Sequence, residues 1–531
     1  MDTALEVNLI RRIAMGDTLR RRATSHGRRE ALVEFIDGER VAITYVSLNQ
    51  RVNRLVRGLR QRGIQQGDRI AILGSNTSQM LSVLLACFKG GFVAVPINFT
   101  QNPSDVAYNI EHSGALAVFA DAALQGLVDE ISSHIERDFL LVSLAGEASK
   151  RFVAFETLLA GQDSAEVEDI IIEDDDLAEI MYTSGTTARP KGVMLSHKNL
   201  FIATLNTVIS IGAHKDALSH AAVLPLFHIA AQFFALVSLH LGNKVLLQNS
   251  FEPVTLLGLI ESEKLKLAFL LPLMWKAMLD CPALHRHDYD SLQLAMYGMA
   301  PIDTATLTKL HEVFGCPFST GSGQTEISGL ATILESSHEA FREGNVWGNG
   351  SVTCDQALMD EAGNILQVGE IGEVVWRSPQ VMLAYYNNPE ASRATQAFGW
   401  HHSGDTGYLD EELNFYFIDR KKDTIKSGGE CVSSVKVESC ILNYEGVTDV
   451  AVIGLAHEYW GEAVTAVVSG KAGAPLDEQA IISHCKKTLS GFENPKRVVI
   501  LEQLPMTATG KVKKNLLRQE YANLYKTTST E

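Results

Sequence analysis

Cysteine is scarce and unpatterned in this chain: seven residues in 531, an odd number, never spaced CxxC. That excludes a disulfide framework and a zinc-binding cysteine spacing, and it predicts the reduced thiols of a cytoplasmic protein. Positive charge is also short. Lys+Arg total 46 against 63 Asp+Glu, a net charge of −17, so a sequence-independent nucleic-acid binder is excluded. Net charge says nothing about a single phosphate cleft. Long, clean hydrophobic runs are missing as well. The nearest, residues 221–241, contains Pro225, His228, Gln232 and His240, which predicts a buried segment and no membrane span. The N-terminal residues lack an apolar stretch of signal-peptide length, and the closing Thr-Ser-Thr-Glu is not a peroxisomal address. The expectation is a soluble cytoplasmic protein without integral membrane association.

What is present reads as ordinary globular protein, with 46% hydrophobic and 21% charged residues. Length alone, at roughly 150 residues per domain, suggests three or four units. Arg69-Ile-Ala-Ile-Leu73 predicts a strand, Met80, Val83, Leu84 and Cys87 mark a helix ending at Gly90-Gly91, and Phe92-Val-Ala-Val-Pro96 predicts the next strand. Strand, helix, strand over about thirty residues is a βαβ unit, hence a parallel sheet covered by helices. Residues 115–119 and 244–247 predict further strands of this kind. Near residue 420 the texture changes: the charged cluster Asp419-Arg-Lys-Lys-Asp423 and Ser427-Gly-Gly429 precede new apolar runs at 450–453 and 463–468 and a helix near 477–489. This predicts a small C-terminal domain behind a hinge.

The strongest chemical signal is Tyr182-Thr-Ser-Gly-Thr-Thr-Ala-Arg-Pro-Lys-Gly192, a loop between two apolar runs. Hydroxyls and bare backbone N–H groups donate to phosphate oxygens, and a lysine adds a mobile positive charge. It is not a Walker A loop, because Pro190 stands where that motif needs glycine.

This loop resembles the phosphate-binding signature of the adenylate-forming superfamily, which includes acyl- and aryl-CoA ligases, luciferases and peptide-synthetase adenylation domains. Other segments resemble the family in the same order. The resemblance assigns Thr183, Ser184, Gly185, Thr186, Thr187 and Lys191 to phosphate, and Gly298, Ala300 and Pro301 to the adenine. Ser322, Gly323, Gln324 and Thr325 continue the nucleotide site, and Glu326, with Thr186, faces Mg²⁺, a hard ion that prefers oxygen ligands. Asp405 and Arg420 resemble the ribose pair. Lys511 resembles the lysine bridging substrate carboxylate and α-phosphate, and His228 the histidine near both. Lys426, Gly428 and Gly429 resemble the residues presented for thioester formation, and Lys422 holds the hinge position. Ile229, Ala230, Phe233, Tyr297 and Trp347, with His228, are candidates for the acyl pocket, where Gln232 adds a polar amide. Three positions depart from the family pattern: Ala188 replaces glycine, Cys431 replaces asparagine, and Ser322 replaces an adenine-stacking aromatic, a contribution of about 1 kcal/mol.

The resemblance implies an adenylate-forming α/β fold: a large layered N-terminal domain (1–419), a hinge (420–426) and a small mobile α+β lid (427–531). It implies an ATP- and Mg²⁺-dependent acid–CoA ligase, with His228, Thr183, Glu326 and Lys511 catalytic, acting on a fatty or other hydrophobic acid. A short functionalised or betaine-like acid, and a carrier protein in place of CoA, are the alternatives. A luciferase-type oxygenase and a regulator that has lost catalysis stand further off. Its partners are small molecules, and a homodimer is an admissible assembly.

Overall fold

The structure is a computed structural model that describes residues 3–183, 189–213, 219–299, 301–334, 344–471, 476–506 and 512–525. The chain divides into two compact units: Met1–Gln356 with Trp376–His401, and Ala357–Val375 with His402–Glu531. Length suggested more. The reason for two is that one continuous apolar core, running from Leu32 through Ile72 and Leu195 to Leu246 and Ala295, joins both sheets of the first unit.

The first sheet of that unit runs, edge to edge, Ala384–Tyr385, Lys191–Ser196, Leu177–Thr183, Val93–Pro96, Arg69–Leu73, Ala117–Ala120, Leu140–Ser143 and Val153–Ala154. From Leu177–Thr183 onward neighbouring strands are parallel, whereas Lys191–Ser196 returns antiparallel and Ala384–Tyr385 adds antiparallel to it. The expected βαβ unit is here. Thr77 caps the helix Ser78–Gly90 by accepting from the Met80 N–H, and Gly91 ends it in the left-handed conformation at φ 67°. Nearly every residue of that helix is buried, as a crossover between sheet and second layer requires.

The second sheet contains Val346–Gly350, Gly329–Leu334, Phe318–Gln324, Leu294–Tyr297, Leu267–Leu270, His220–Ala222, Val245–Leu247, Glu30–Ile36 and Glu39–Thr44, in that order. Val245–Leu247 is a buried parallel strand, as its composition suggested, but it belongs to this sheet and not to that of Arg69–Leu73. Local sequence carries no sheet address. The apolar run 221–241 resolves into the end of a strand and the buried helix Ile229–Leu241, which Gly242 terminates at φ 80°. No helix among the described residues is long and apolar enough to cross a membrane.

The strands Asp355–Met359, Gly372–Arg377, His401–Leu409 and Phe415–Arg420, most of whose residues belong to the second unit, lie side by side in that order. A further sheet orders Glu430–Val432, Ile425–Ser427, Gly461–Gly470 and Val447–His457, with Arg497–Ile500 parallel to Gly461–Gly470. The helices Ser434–Leu442 and Glu478–Cys485 cover one face through Val437, Ile441, Ile481 and Cys485, and Leu517 of Lys514–Glu520 packs with Ala451 and Ile453. The strands at 447–457 and 461–470 contain the two apolar runs predicted at 450–453 and 463–468.

Candidate active site

The phosphate-loop candidate is a hairpin. Thr183 ends its incoming strand, Lys191 begins the outgoing one, and the two are register partners. Ser184, Gly185, Thr186, Thr187 and Ala188 lie outside the described residues. At the hairpin's end the Lys191 ammonium sits 4.9 Å from the centroid of the Tyr385 ring, and the Arg189 guanidinium 4.8 Å from that of Tyr108. Both are within cation–π range. The two cations at the end of this hairpin thus each lie against an aromatic face.

Thr325 and Glu326 occupy the tip of a second hairpin. Its strands, Phe318–Gln324 and Gly329–Leu334, are joined by a single 3₁₀ turn over Thr325–Ile327, and Ser328 completes the reversal at φ 56°. The strands approach so closely that a Cβ on Gly323 would stand 1.6 Å from the Gly329 carbonyl oxygen. Glycine is the residue that admits this backbone contact. Ser322 is buried, and its N–H donates to Thr332 Oγ1, which in turn donates to the Trp347 carbonyl. Tyr297 ends the strand that pairs on the other side, opposite Thr320. Gly298 and Met299 follow, Met299 in the left-handed region at φ 69°. Pro301 is exposed, and Ala300 lies outside the described residues. Neighbouring strands of one sheet thus bring together Tyr297, Ser322, Gly323, Gln324, Thr325, Glu326 and Trp347.

Glu326 is half-buried. Its carboxylate Oε1 accepts from the Tyr385 hydroxyl at 2.8 Å, and its carbonyl accepts from the Met382 N–H at 2.8 Å. Tyr385 carried no sequence signal. The donor chemistry of Glu326 fits Mg²⁺, which is commonly bound through one or two carboxylates together with substrate phosphates. Thr186, the other oxygen donor assigned to the metal, lies outside the described residues.

His228 stands at the N-cap of Ile229–Leu241, with its N–H donating to Pro225 and its ring beside Phe227 at 4.7 Å. Ile229 and Phe233 are buried and Ala230 partly so. Phe233 packs with Phe234, Met296, Leu330 and Ile333, against the Thr325–Glu326 hairpin. Gln232 turns elsewhere: its amide donates at 2.7 Å to Glu179, a fully buried carboxyl on the strand leading to Thr183. Among the described residues Glu179 Oε1 and Gln232 Oε1 have no partner. Burial pushes the Glu179 carboxyl up to about 8, against the smaller opposing effect of the Gln232 hydrogen bond. A proton on that carboxyl supplies a donor to a pair otherwise left with two unpartnered acceptors.

In the second unit Asp405 and Arg420 are register partners on adjacent strands, with Nε and Oδ1 3.8 Å apart. Asp405 is buried and Arg420 exposed, so the guanidinium reaches solvent beside a fixed carboxylate. Lys422 is exposed in the turn after Arg420. Lys426 is exposed in the next strand, its N–H donating to Glu462 at 2.7 Å. Gly428 and Gly429 are the two turn residues between Ser427 and Glu430, at φ 63° and 88°, as a primed two-residue hairpin turn demands. A Cβ on Gly428 would press on the Trp460 ring at 3.2 Å. Lys511 and the Cys431 side chain lie outside the described residues; Met506 and Val512 are bridged antiparallel.

The first unit thus holds a strand hairpin with cations at its end and a carboxylate at a glycine-tight turn, and the second unit holds an Asp–Arg pair. Comparison with known proteins identifies the family. The model for the AMP-binding enzyme family matches residues 19–386, and that for the AMP-binding enzyme C-terminal domain matches 436–511. A feruloyl-CoA synthase of an Amycolatopsis species is 35% identical over 90% of this chain and 94% of its own length. A long-chain-fatty-acid–CoA ligase of Mycobacterium tuberculosis is 33% identical over 96% of this chain and 98% of its own. The crystal structure of ATP-bound MatB from Rhodopseudomonas palustris superposes with a TM-score of 0.85 at 28% identity, covering 96% of this chain and 100% of that one. The chain belongs to the AMP-binding enzyme family.

Proposed function

We infer that this chain is an ATP-dependent acid–CoA ligase of the AMP-forming type, and that its acid is fatty or otherwise hydrophobic. In the first step a carboxylate oxygen attacks the α-phosphorus of ATP, the bond from that phosphorus to the β-phosphate oxygen breaks, and pyrophosphate leaves. Both reactants are anionic, so the site must relieve their repulsion. Lys191 and the hydroxyls of the 183–187 loop would hold the phosphates, and Lys511 would bridge carboxylate and α-phosphate. Mg²⁺, when bound at Glu326, would supply positive charge to the polyphosphate. Asp405 and Arg420 would hold the ribose, and His228 would stand near the carboxylate. In the second step the CoA thiol loses its proton and its sulfur attacks the acyl carbon, expelling AMP. Lys426, Gly428 and Gly429, brought up by rotation about Lys422, would form the surface for this step. Two half-reactions at one carbonyl give a mobile lid its use.

The observation that carries the choice of acid is the Gln232–Glu179 bond. The one polar amide among the acyl-pocket candidates on this helix is engaged by a buried carboxyl, leaving Ile229, Ala230 and Phe233 as an apolar lining. The relatives named above are a feruloyl-CoA synthase and a long-chain-fatty-acid–CoA ligase, both named for largely apolar acyl groups. Cys87, Cys281, Cys316, Cys354, Cys440 and Cys485 are free, which supports the cytoplasm as its setting.

The test is thioester formation, read by mass spectrometry, across straight-chain acids of increasing length, hydroxycinnamic acids and betaine-like acids. The expected result is a kcat/KM that rises with apolar surface, by about threefold or more for each buried methylene. Highest activity on betaine-like acids would contradict the hydrophobic pocket. Pyrophosphate release without any CoA stimulation would indicate a carrier-protein acceptor.

A further inference from the structure

Between the phosphate-loop hairpin and the Thr325–Glu326 hairpin runs a strap, residues 382–386, that touches both. Its backbone is tied at each end: Met382 N–H donates to the Glu326 carbonyl at 2.8 Å, Leu383 N–H to Met194 at 2.9 Å, and Tyr386 N–H to Gly192 at 2.7 Å. Ala384 and Tyr385 pair antiparallel with Met194 and Val193. The Tyr385 N–H is taken by Ser392 Oγ at 2.9 Å, which pins the residue from behind. These backbone bonds already fasten the two hairpins together. The Tyr385 side chain adds something different: it is buried, and it meets one charged group of each hairpin. Its hydroxyl donates to Glu326 Oε1 at 2.8 Å, and its ring carries the Lys191 ammonium 4.9 Å from its centroid.

We propose that Tyr385 is a positioning residue for the metal–phosphate end of the ATP site. By holding Oε1 it would leave Oε2 of Glu326 for the cation, and by its ring face it would hold the Lys191 ammonium in place for the phosphates. The inference rests on the reading of Glu326 and Lys191 as metal- and phosphate-facing groups. Each half of the side chain has its own task. A phenylalanine keeps the ring and loses the charge-assisted hydrogen bond, which is the stronger kind; a leucine loses both.

The experiment is calorimetric binding of ATP to the full chain, with and without Mg²⁺, alongside thermal melting. For Tyr385→Phe the expected result is metal-free ATP affinity as in wild type, with the enhancement by Mg²⁺ reduced roughly tenfold. For Tyr385→Leu, affinity falls in both conditions because Lys191 also loses its support. A merely structural tyrosine would instead lower the melting temperature and weaken both affinities together in Tyr385→Phe. That pattern overturns the proposal, and so does an unchanged Mg²⁺ enhancement. Binding needs neither acid nor CoA, which separates this inference from the function above. A wild type that binds ATP·Mg²⁺ yet adenylates no acid contradicts the ligase, while the Tyr385→Phe comparison still decides the present inference. A wild type that binds no ATP contradicts both.

Discussion

Glu326→Gln is expected to lower acid-dependent pyrophosphate release by about 10²–10³-fold while leaving the fold intact, the range typical for loss of one preorganised electrostatic group. The structure explains why the loss should be chemical. Glutamine has the same shape, its carbonyl oxygen can still accept from Tyr385, and the backbone bond from Met382 does not depend on the side chain. What disappears is the negative charge that suits a hard divalent cation. The measurement is steady-state pyrophosphate release at several Mg²⁺ concentrations, with melting temperature as the control. The expected signature is a steeper Mg²⁺ requirement together with the lowered rate. A rate equal to wild type at every Mg²⁺ concentration contradicts the metal role; a collapsed melting temperature reassigns Glu326 to holding its hairpin.

Glu179→Gln is expected to remove a pH dependence of stability that the wild type shows between about pH 4.5 and 8. The ordinary glutamate value of 4.5 is raised to about 8 in the fold, mainly by burial. A carboxyl with a raised folded value binds its proton more tightly when folded. Its contribution is therefore complete below the unfolded value and is lost progressively as pH rises towards the folded one. Over that interval the linkage amounts to at most about 5 kcal/mol, a large fraction of a typical folding stability. Glutamine carries no titrating proton and can still pair with the Gln232 amide. Urea denaturation of both proteins at pH 5 and pH 8 reads the effect: the difference between them should grow with pH in favour of the variant. Parallel pH profiles contradict a protonated Glu179. Activity is informative as well, since the pair links the strand leading to Thr183 with the first turn of the helix behind His228.

What could be read in the sequence was whatever is encoded locally. The hydroxyl-rich loop announced itself by density, and the hairpin that holds it follows from two apolar runs flanking a polar, glycine-containing segment. Gly428-Gly429 helped to mark the junction near residue 420, and the structure shows them as a turn with two successive positive φ values, which favour glycine. Asp405 and Arg420 could be assigned only through resemblance, and the structure places them opposite one another in register. Tyr385 and Glu179 could not be found this way. Each meets its partner across a long separation, 59 residues for Tyr385–Glu326 and 53 for Glu179–Gln232. A lone tyrosine or a glutamate within an apolar strand carries no periodic signal, because its significance is created by what the sheets bring beside it. The same limit explains Gln232, which looks like a pocket residue along the chain and is turned towards a buried carboxyl in the fold. The strand at Val245–Leu247 could be read for the same reason that its sheet could not: strand character is local and sheet order is not.

The central claim is that a carboxylate attacks the α-phosphorus of ATP, and isotope transfer tests it most directly. An acid accepted by the enzyme, labelled with oxygen-18 in its carboxylate, is turned over with ATP·Mg²⁺ and CoA, and the products are weighed by mass spectrometry. Attack at the α-phosphorus must leave one labelled oxygen in AMP when the thiol displaces it, with pyrophosphate unlabelled. Lys511→Ala should slow the appearance of that label by about 10²–10³-fold. Label in orthophosphate, with ADP as the nucleotide product, would contradict the account.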